Sequence, residues 1–241
     1  VVVVRENTEG EYAGAGGRVH RGRSSEVAVE TSVFTRMGIE RVVRYAFEYA
    51  RSHERARVTS ATKSNALRHA MPFWDQVTQD VASEYPEVEH ESVLIDALAA
   101  RVVSDPESLD VVVASNLFGD ILSDLTAAAA GGLGIAPSAN LDPTRANPSL
   151  FQAVQGSAPD IAERGIANPV AEILSAALML EFLGEAESAA AIERAVGAST
   201  TDPGTRTRDL DGRATTREAG EAIRAHQSRI WEAASAGQHQ R

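Results

Sequence analysis

The chain contains no cysteine, a single lysine in 241 residues, and only 5% aromatic residues. Without cysteine there can be no disulfide, no iron–sulfur cluster and no thiol nucleophile, and a cytoplasmic setting is the expectation. No apolar run approaches the roughly 20 residues that a membrane-spanning helix needs. The opening Val1–Val4 run is followed at once by Arg5 and Glu6, unlike a secretory signal. A GxGxxG fingerprint is also missing, so an ordinary dinucleotide-binding turn has no support. Basic charge is in short supply as well. The formal net charge of −11 argues against non-specific nucleic-acid or membrane-surface binding, although local arginines can still hold an anionic substrate. There is no initiator methionine, and the chain opens inside what reads as a buried strand. The expectation is therefore the C-terminal portion of a longer protein.

What is present is a hydrophobic share of 43%, enough for a packed core, arranged as alternating strand-like and helix-like segments. Strands are expected at 1–4, 26–31, 57–60, 89–95 and 110–114. Helices are expected at 34–51, 64–85, 97–103 and 117–130, the last stopped by Gly131-Gly132. Residues 5–17 and 18–23 read as polar and basic loops. From 134 to 169 the texture turns to proline, asparagine and glycine, as in loops that bind ligands. Asn168-Pro169 then opens a very apolar helix to about residue 183. Helices follow at 187–196 and 216–234, with an exposed loop over 199–213. The natural division of the chain falls near Gly131.

Several residues could carry chemistry. Lys63 stands where a short strand runs into a helix, in a protein that uses arginine everywhere else. An ammonium can be tuned to give up its proton, whereas a guanidinium is in effect always charged. Asp120 and Asp124 lie four apart after the strand 110–114, so on a helix they share a face. Two like charges there need compensation, and a hard divalent cation would supply it. Asp96, after the strand ending at Ile95, reads as an N-cap or as a third carboxylate ligand. Arg5 could clamp a substrate carboxylate, and Tyr12 could donate a proton if a nearby cation or amine lowered its pKa. Gly156, Ser157, Ala158, Pro159, Asp160 and Ile161 suggest a tight loop approached by a ligand, with Asn168 close behind. An acidic Asp160 near a ribose would favour NAD over NADP.

Taken in order, RENTEGEY (5–12), TSATKSN (59–65), IDALAAR (95–101), SNLFGDILSDL (115–125), GIAPSANLDP (134–143), and GSAPDI with GIANP (156–169) resemble the β-decarboxylating dehydrogenases. These act on isocitrate, isopropylmalate, and tartrate or D-malate, and the last branch looks most similar. The resemblance implies an isocitrate/isopropylmalate dehydrogenase-like α/β fold of two domains, with the first part of the large domain missing. Residues 1–130 would form the small, dimerisation domain with the metal and acid–base residues. Residues 131–241 would form the C-terminal part of the large, nucleotide-binding domain.

The implied function is metal-dependent oxidative decarboxylation of a small 2-hydroxy diacid with NAD as hydride acceptor. Arg5 would bind the substrate, Tyr12 and Lys63 would act as acid and base, and Asp96, Asp120 and Asp124 would hold Mg²⁺ or Mn²⁺. Residues 156–161 and Asn168 would bind NAD. Lys63 and Asp96 would be contributed to a partner subunit's site, which implies a homodimer. The family usually has FEPVHGSAPDI where this chain has FQAVQGSAPDI, so Gln152 and Gln155 replace an acid and a histidine at the nucleotide edge. Two alternatives stand beside this reading. One is isopropylmalate or isocitrate as substrate; the other is a truncated, non-catalytic or regulatory homologue.

Overall fold

The structure is a computed structural model that describes residues 1–238 and, within them, the side chains of 1–232. It divides into two compact units, Val1–Ala129 and Ala130–Arg241. The first unit is built on four parallel strands: β1 (Val2–Arg5), β4 (Arg57–Thr62), β5 (Glu89–Leu94) and β6 (Val111–Ala114), in the spatial order β1-β6-β4-β5. Parallel strands need cover on both faces, and the all-buried Val111–Ala114 shows it. The cover comes from α1 (Arg36–Ser52), α2 (Ala70–Ala82), α3 (Ile95–Ser104) and α4 (Asn116–Ala130). They bury Ile39, Phe47, Trp74, Leu98 and Leu122 against the strand valines.

Because the strands are parallel, their carboxyl ends lie along one edge of the sheet, where α/β proteins bind ligands. Register places Arg5 beside Ala114, and Thr62 beside Leu94. The chain positions that follow are Lys63 after β4, Asp96 just after β5, and Asn116 just after β6. A separate antiparallel pair, β2 (Gly10–Val19) and β3 (Val27–Val33), completes this unit.

The second unit pairs β7 (Pro137–Asn140) with β8 (Leu150–Ala153) as an antiparallel hairpin, packed by α5 (Val170–Leu183). Helices α6 (Ala186–Thr201) and α7 (Thr216–Gln238) follow. The α/β class is the one expected. Three segments differ from the sequence reading. Residues 10–19 form a strand, not a loop. Gly16 explains why glycine hid it, because a Cβ there would run into the Val29 carbonyl across the hairpin. Helix α2 begins at Ala70, since residues 64–69 form turns. The stretch 134–169 contains β7 and β8, four residues each, too short and too rich in polar residues to show a period of two.

The loop after β1 is held by its own acids. Glu6 is only 2% exposed. Its carboxylate accepts from Thr8 N (2.7 Å), Thr8 Oγ1 (2.8 Å), Glu9 N (2.8 Å) and Arg41 Nη2 (2.6 Å). Burial pushes its pKa up, but the Glu9 and Thr8 N–H groups, the Thr8 hydroxyl and Arg41 together outweigh it and hold the acid below the usual range. A lowered folded-state pKa stabilises above the unfolded value and loses that contribution as pH falls through the folded one. Glu6→Gln is therefore expected to cost roughly 1–3 kcal/mol at neutral pH. Urea melts across an acid series should show the gap between the two proteins closing as Glu6 becomes protonated.

Candidate active site

The first cluster forms where β1 and β6 end together. The Arg5 guanidinium gives Nε (3.1 Å) and Nη2 (2.8 Å) to Asn116 Oδ1, and Nη1 to Asp120 Oδ1 at 2.5 Å. Tyr12 lies under the same guanidinium, with Arg5 Cζ 5.8 Å from its ring centroid. The Tyr12 hydroxyl donates to Asp120 Oδ2 at 3.4 Å. Its pKa is raised, by desolvation first and then by the Asp120 charge and hydrogen bond. The sequence reading needed a cation to lower that pKa; here desolvation and Asp120 move it the other way and make the phenol a weaker acid.

Two further acids and an asparagine fix this geometry, and sequence reasoning passed over them. Glu9 accepts from Thr35 N (2.8 Å) and Thr35 Oγ1 (2.9 Å), while Thr35 Oγ1 caps α1 by accepting from Gly38 N (3.0 Å). Glu11 accepts from Ser115 Oγ (2.7 Å) and Leu117 N (3.0 Å), a carboxylate at the N-terminus of α4. Asn116 Nδ2 donates to Glu9 O at 3.0 Å. The signal that could have revealed them is the density of acids in Glu6-Asn7-Thr8-Glu9-Gly10-Glu11, which a solvated loop does not require.

The second cluster is a pair. Lys63 Nζ donates to Asp96 Oδ1 at 2.6 Å, across the ends of β4 and β5. That contact is the leading cause of a lowered Asp96 pKa. The structure thus joins Arg5, Tyr12 and Asp120 in one group and Lys63 with Asp96 in another. Asp124 sits one turn beyond Asp120 on α4 and is exposed. Among the described residues, no three His, Cys, Asp or Glu side chains of one chain stand together as a metal site. Asp120 and Asp124 have the hard oxygen donors that Mg²⁺ or Mn²⁺ takes. They supply two carboxylates and leave the remaining positions to a substrate, water or another chain.

In the second unit, Ser157, Ala158 and Ile161 line a cleft of about 380 Å³ together with Ala162, Ala167 and Thr216. Gly156 has φ +61°, and a Cβ there would meet nothing within 4 Å, so the backbone is open to a ligand. Pro159–Ile161 forms one turn of 3₁₀ helix, with Asp160 exposed. Asn168 is inward: Val170 N donates to its Oδ1 (3.0 Å), and its Nδ2 donates to Asp209 Oδ2 (2.9 Å). Gln152 gives its backbone carbonyl to Ser175 Oγ at 2.8 Å.

Close approach also depends on one glycine. A Cβ at Gly119 would stand 2.6 Å from Arg5 Cγ and 2.7 Å from Arg5 Cβ. In a mid-helix position alanine is normally favoured over glycine by about 1 kcal/mol. Gly119→Ala should instead destabilise, by roughly 1–3 kcal/mol of overpacking, and a crystal structure of the variant should show Arg5 displaced from Asn116. Thermal melting above that of the parent would contradict the close-approach argument.

With this geometry in view, comparison with known proteins is informative. The chain is 53% identical over 222 residues to the "Probable tartrate dehydrogenase/decarboxylase" of Bacillus subtilis (strain 168), covering 92% of this chain and 62% of that protein. It is 52% identical over 230 residues to the D-malate dehydrogenase [decarboxylating] of Escherichia coli (strain K12), with the same coverage. The crystal structure of isocitrate dehydrogenase from Methylococcus capsulatus superposes with a TM-score of 0.87 at 43% identity, over 93% of this chain and 66% of that one. The chain thus spans about three fifths of the length of the curated relatives it matches. The isocitrate/isopropylmalate dehydrogenase family model matches residues 1–223, and the chain belongs to that family.

Proposed function

We propose that this chain is part of an enzyme that oxidatively decarboxylates a small 2-hydroxy diacid, D-malate or tartrate, with NAD as hydride acceptor and Mg²⁺ or Mn²⁺ as activating ion. One observation carries the reading: a guanidinium, a protonated phenol and a carboxylate share a contact at the carboxyl edge of the sheet. The names of the relatives, tartrate dehydrogenase/decarboxylase and D-malate dehydrogenase, support the substrate class.

Each residue then has a task. Arg5 takes a carboxylate of the diacid by paired N–H donation. The partner subunit's Lys63 Nζ, as the neutral amine once its contact with Asp96 opens and its extra proton has left to solvent, takes the proton from the substrate hydroxyl. With a bound nicotinamide to accept the hydride, the oxidised substrate would be a β-keto acid; its loss of CO₂ leaves an enolate, and the Tyr12 hydroxyl delivers the proton that completes the product. Asp120 holds that hydroxyl in place. Asp120 and Asp124, with the partner subunit's Asp96, would hold the cation; residues 156–161 and Asn168 would form the NAD site. When bound, the cation supplies Lewis-acid relief of charge on substrate oxygens, and the nicotinamide supplies the hydride acceptor.

In this reading residues 1–130 are the small, dimerising domain and residues 131–241 belong to the nucleotide-binding one. The β2–β3 hairpin supports a homodimer. Val19, Val27 and Val29 lie on one face of it, and these residues are 49–56% exposed. A two-stranded hairpin with a bare apolar face is marginal by itself and calls for cover.

Two measurements test the proposal. With Mn²⁺, NAD and D-malate or tartrate, the protein should form NADH. Lys63→Met should lower turnover by about 10²–10⁴-fold while Mn²⁺ affinity stays within about twofold of the parent; parental turnover in that variant would refute the base assignment. Separately, Val29→Asp should shift sedimentation from dimer towards monomer. An unchanged boundary would remove the hairpin from the interface.

A further inference from the structure

The Arg5 side chain is not simply exposed to a ligand; it is held in one orientation. A guanidinium carries five N–H groups in a rigid fork. Asn116 occupies the Nε and one Nη2 hydrogen, and Asp120 occupies one on Nη1. One N–H is left on each terminal nitrogen, the number that a bidentate carboxylate needs.

The orienting group is itself fixed. Asn116 is 4% exposed and its Nδ2 is spent on the Glu9 carbonyl, so its Oδ1 cannot turn away from Arg5 without stranding a buried donor. Glu11 anchors the same turn through Ser115 and Leu117, and Gly119 leaves room for the arginine stem one turn further on.

We propose that Asn116 is the positioning residue of the substrate site: it locks the Arg5 fork so that two terminal N–H groups face the diacid. This rests on the assignment of Arg5 to a substrate carboxylate. An asparagine is required for both halves of the task, because aspartate would lose the donor to Glu9 O and set a second carboxylate against Arg5. Alanine would leave the guanidinium held only by Asp120 and free to rotate.

The test is a double-mutant cycle on D-malate binding, measured by calorimetry with Mg²⁺ present, in the parent, Asn116→Ala, Asn116→Asp, Arg5→Lys and Arg5→Lys/Asn116→Ala proteins. Either Asn116 change should weaken D-malate about tenfold or more in the parent background. In the Arg5→Lys background, where no fork remains to be oriented, Asn116→Ala should change affinity less than about twofold. Should Asn116→Ala not fold, as judged by melting, Asn116→Asp and Arg5→Lys/Asn116→Asp, which keep the side-chain volume, complete the cycle in its place. Equal losses in both backgrounds, or no loss in either, would overturn the positioning role while leaving the diacid reading intact. Failure of the parent protein to bind D-malate or tartrate would overturn both.

Discussion

The parallel pairing of β1 with β6 is the constraint on which the first unit depends. It sets Arg5 beside Ala114, so the residues that follow each strand, Arg5 to Tyr12 and Ser115 to Asp120, emerge together. A slip of one residue would turn Arg5 to the other face of the sheet and separate it from Asn116 and Asp120. The register is in turn secured by the buried valines of β6, which share one core with apolar residues of α1 and α4. The geometry of the candidate site is thus a consequence of core packing one or two residues away.

Acidic residues around the site divide by burial into two kinds. Glu6, almost wholly buried, meets four donors, and removing any of them leaves desolvated charge behind. Glu9 and Glu11 spend their carboxylates on helix starts, so that each end of the loop is tied to a different helix. These acids make no direct approach to a reacting group in the scheme above. Their work is to hold a glycine-containing loop still enough for Tyr12 and Arg5 to keep their positions, which is the usual requirement of a preorganised site.

Much of this was legible in the sequence, and the failures have physical causes. The runs at 57–60 and 110–114 read as strands, and the apolar spacing of 34–51 read as the helix that is α1. The site residues Arg5, Tyr12, Lys63, Asp96 and Asp120 could be picked out because they follow strand ends. What stayed hidden was pairing: that Arg5 meets Asp120 and Lys63 meets Asp96 is set by strand order, which spacing along the chain does not encode. Glycine misled in both directions. Gly16 made a strand look like a loop, and Gly119 looked incidental although Arg5 lies against it. Asn116 was invisible for a similar reason, since both of its partners are more than a hundred residues away.

The two cation–carboxylate pairs at the strand ends differ from the Glu6–Arg41 pair in how firmly they hold. Arg5 and Asp120 are 28% and 49% exposed, and Lys63 and Asp96 are 26% and 66% exposed. At that exposure an ion pair contributes on the order of 0–1 kcal/mol, because water screens it and side-chain entropy opposes it. A bidentate carboxylate on Arg5, by contrast, adds charge-assisted bonds worth roughly 1.5–3 kcal/mol apiece. In the proposed reading, a substrate carboxylate that takes the two free terminal N–H groups therefore joins Asp120 on Arg5 at little cost to the fold. The Glu6–Arg41 contact could not be exchanged so cheaply, as its acid has no water to return to. Solvent access decides which charges can turn to a ligand: in the proposed reading Arg5 and Lys63 at the sheet's carboxyl edge keep that freedom, and Glu6 does not.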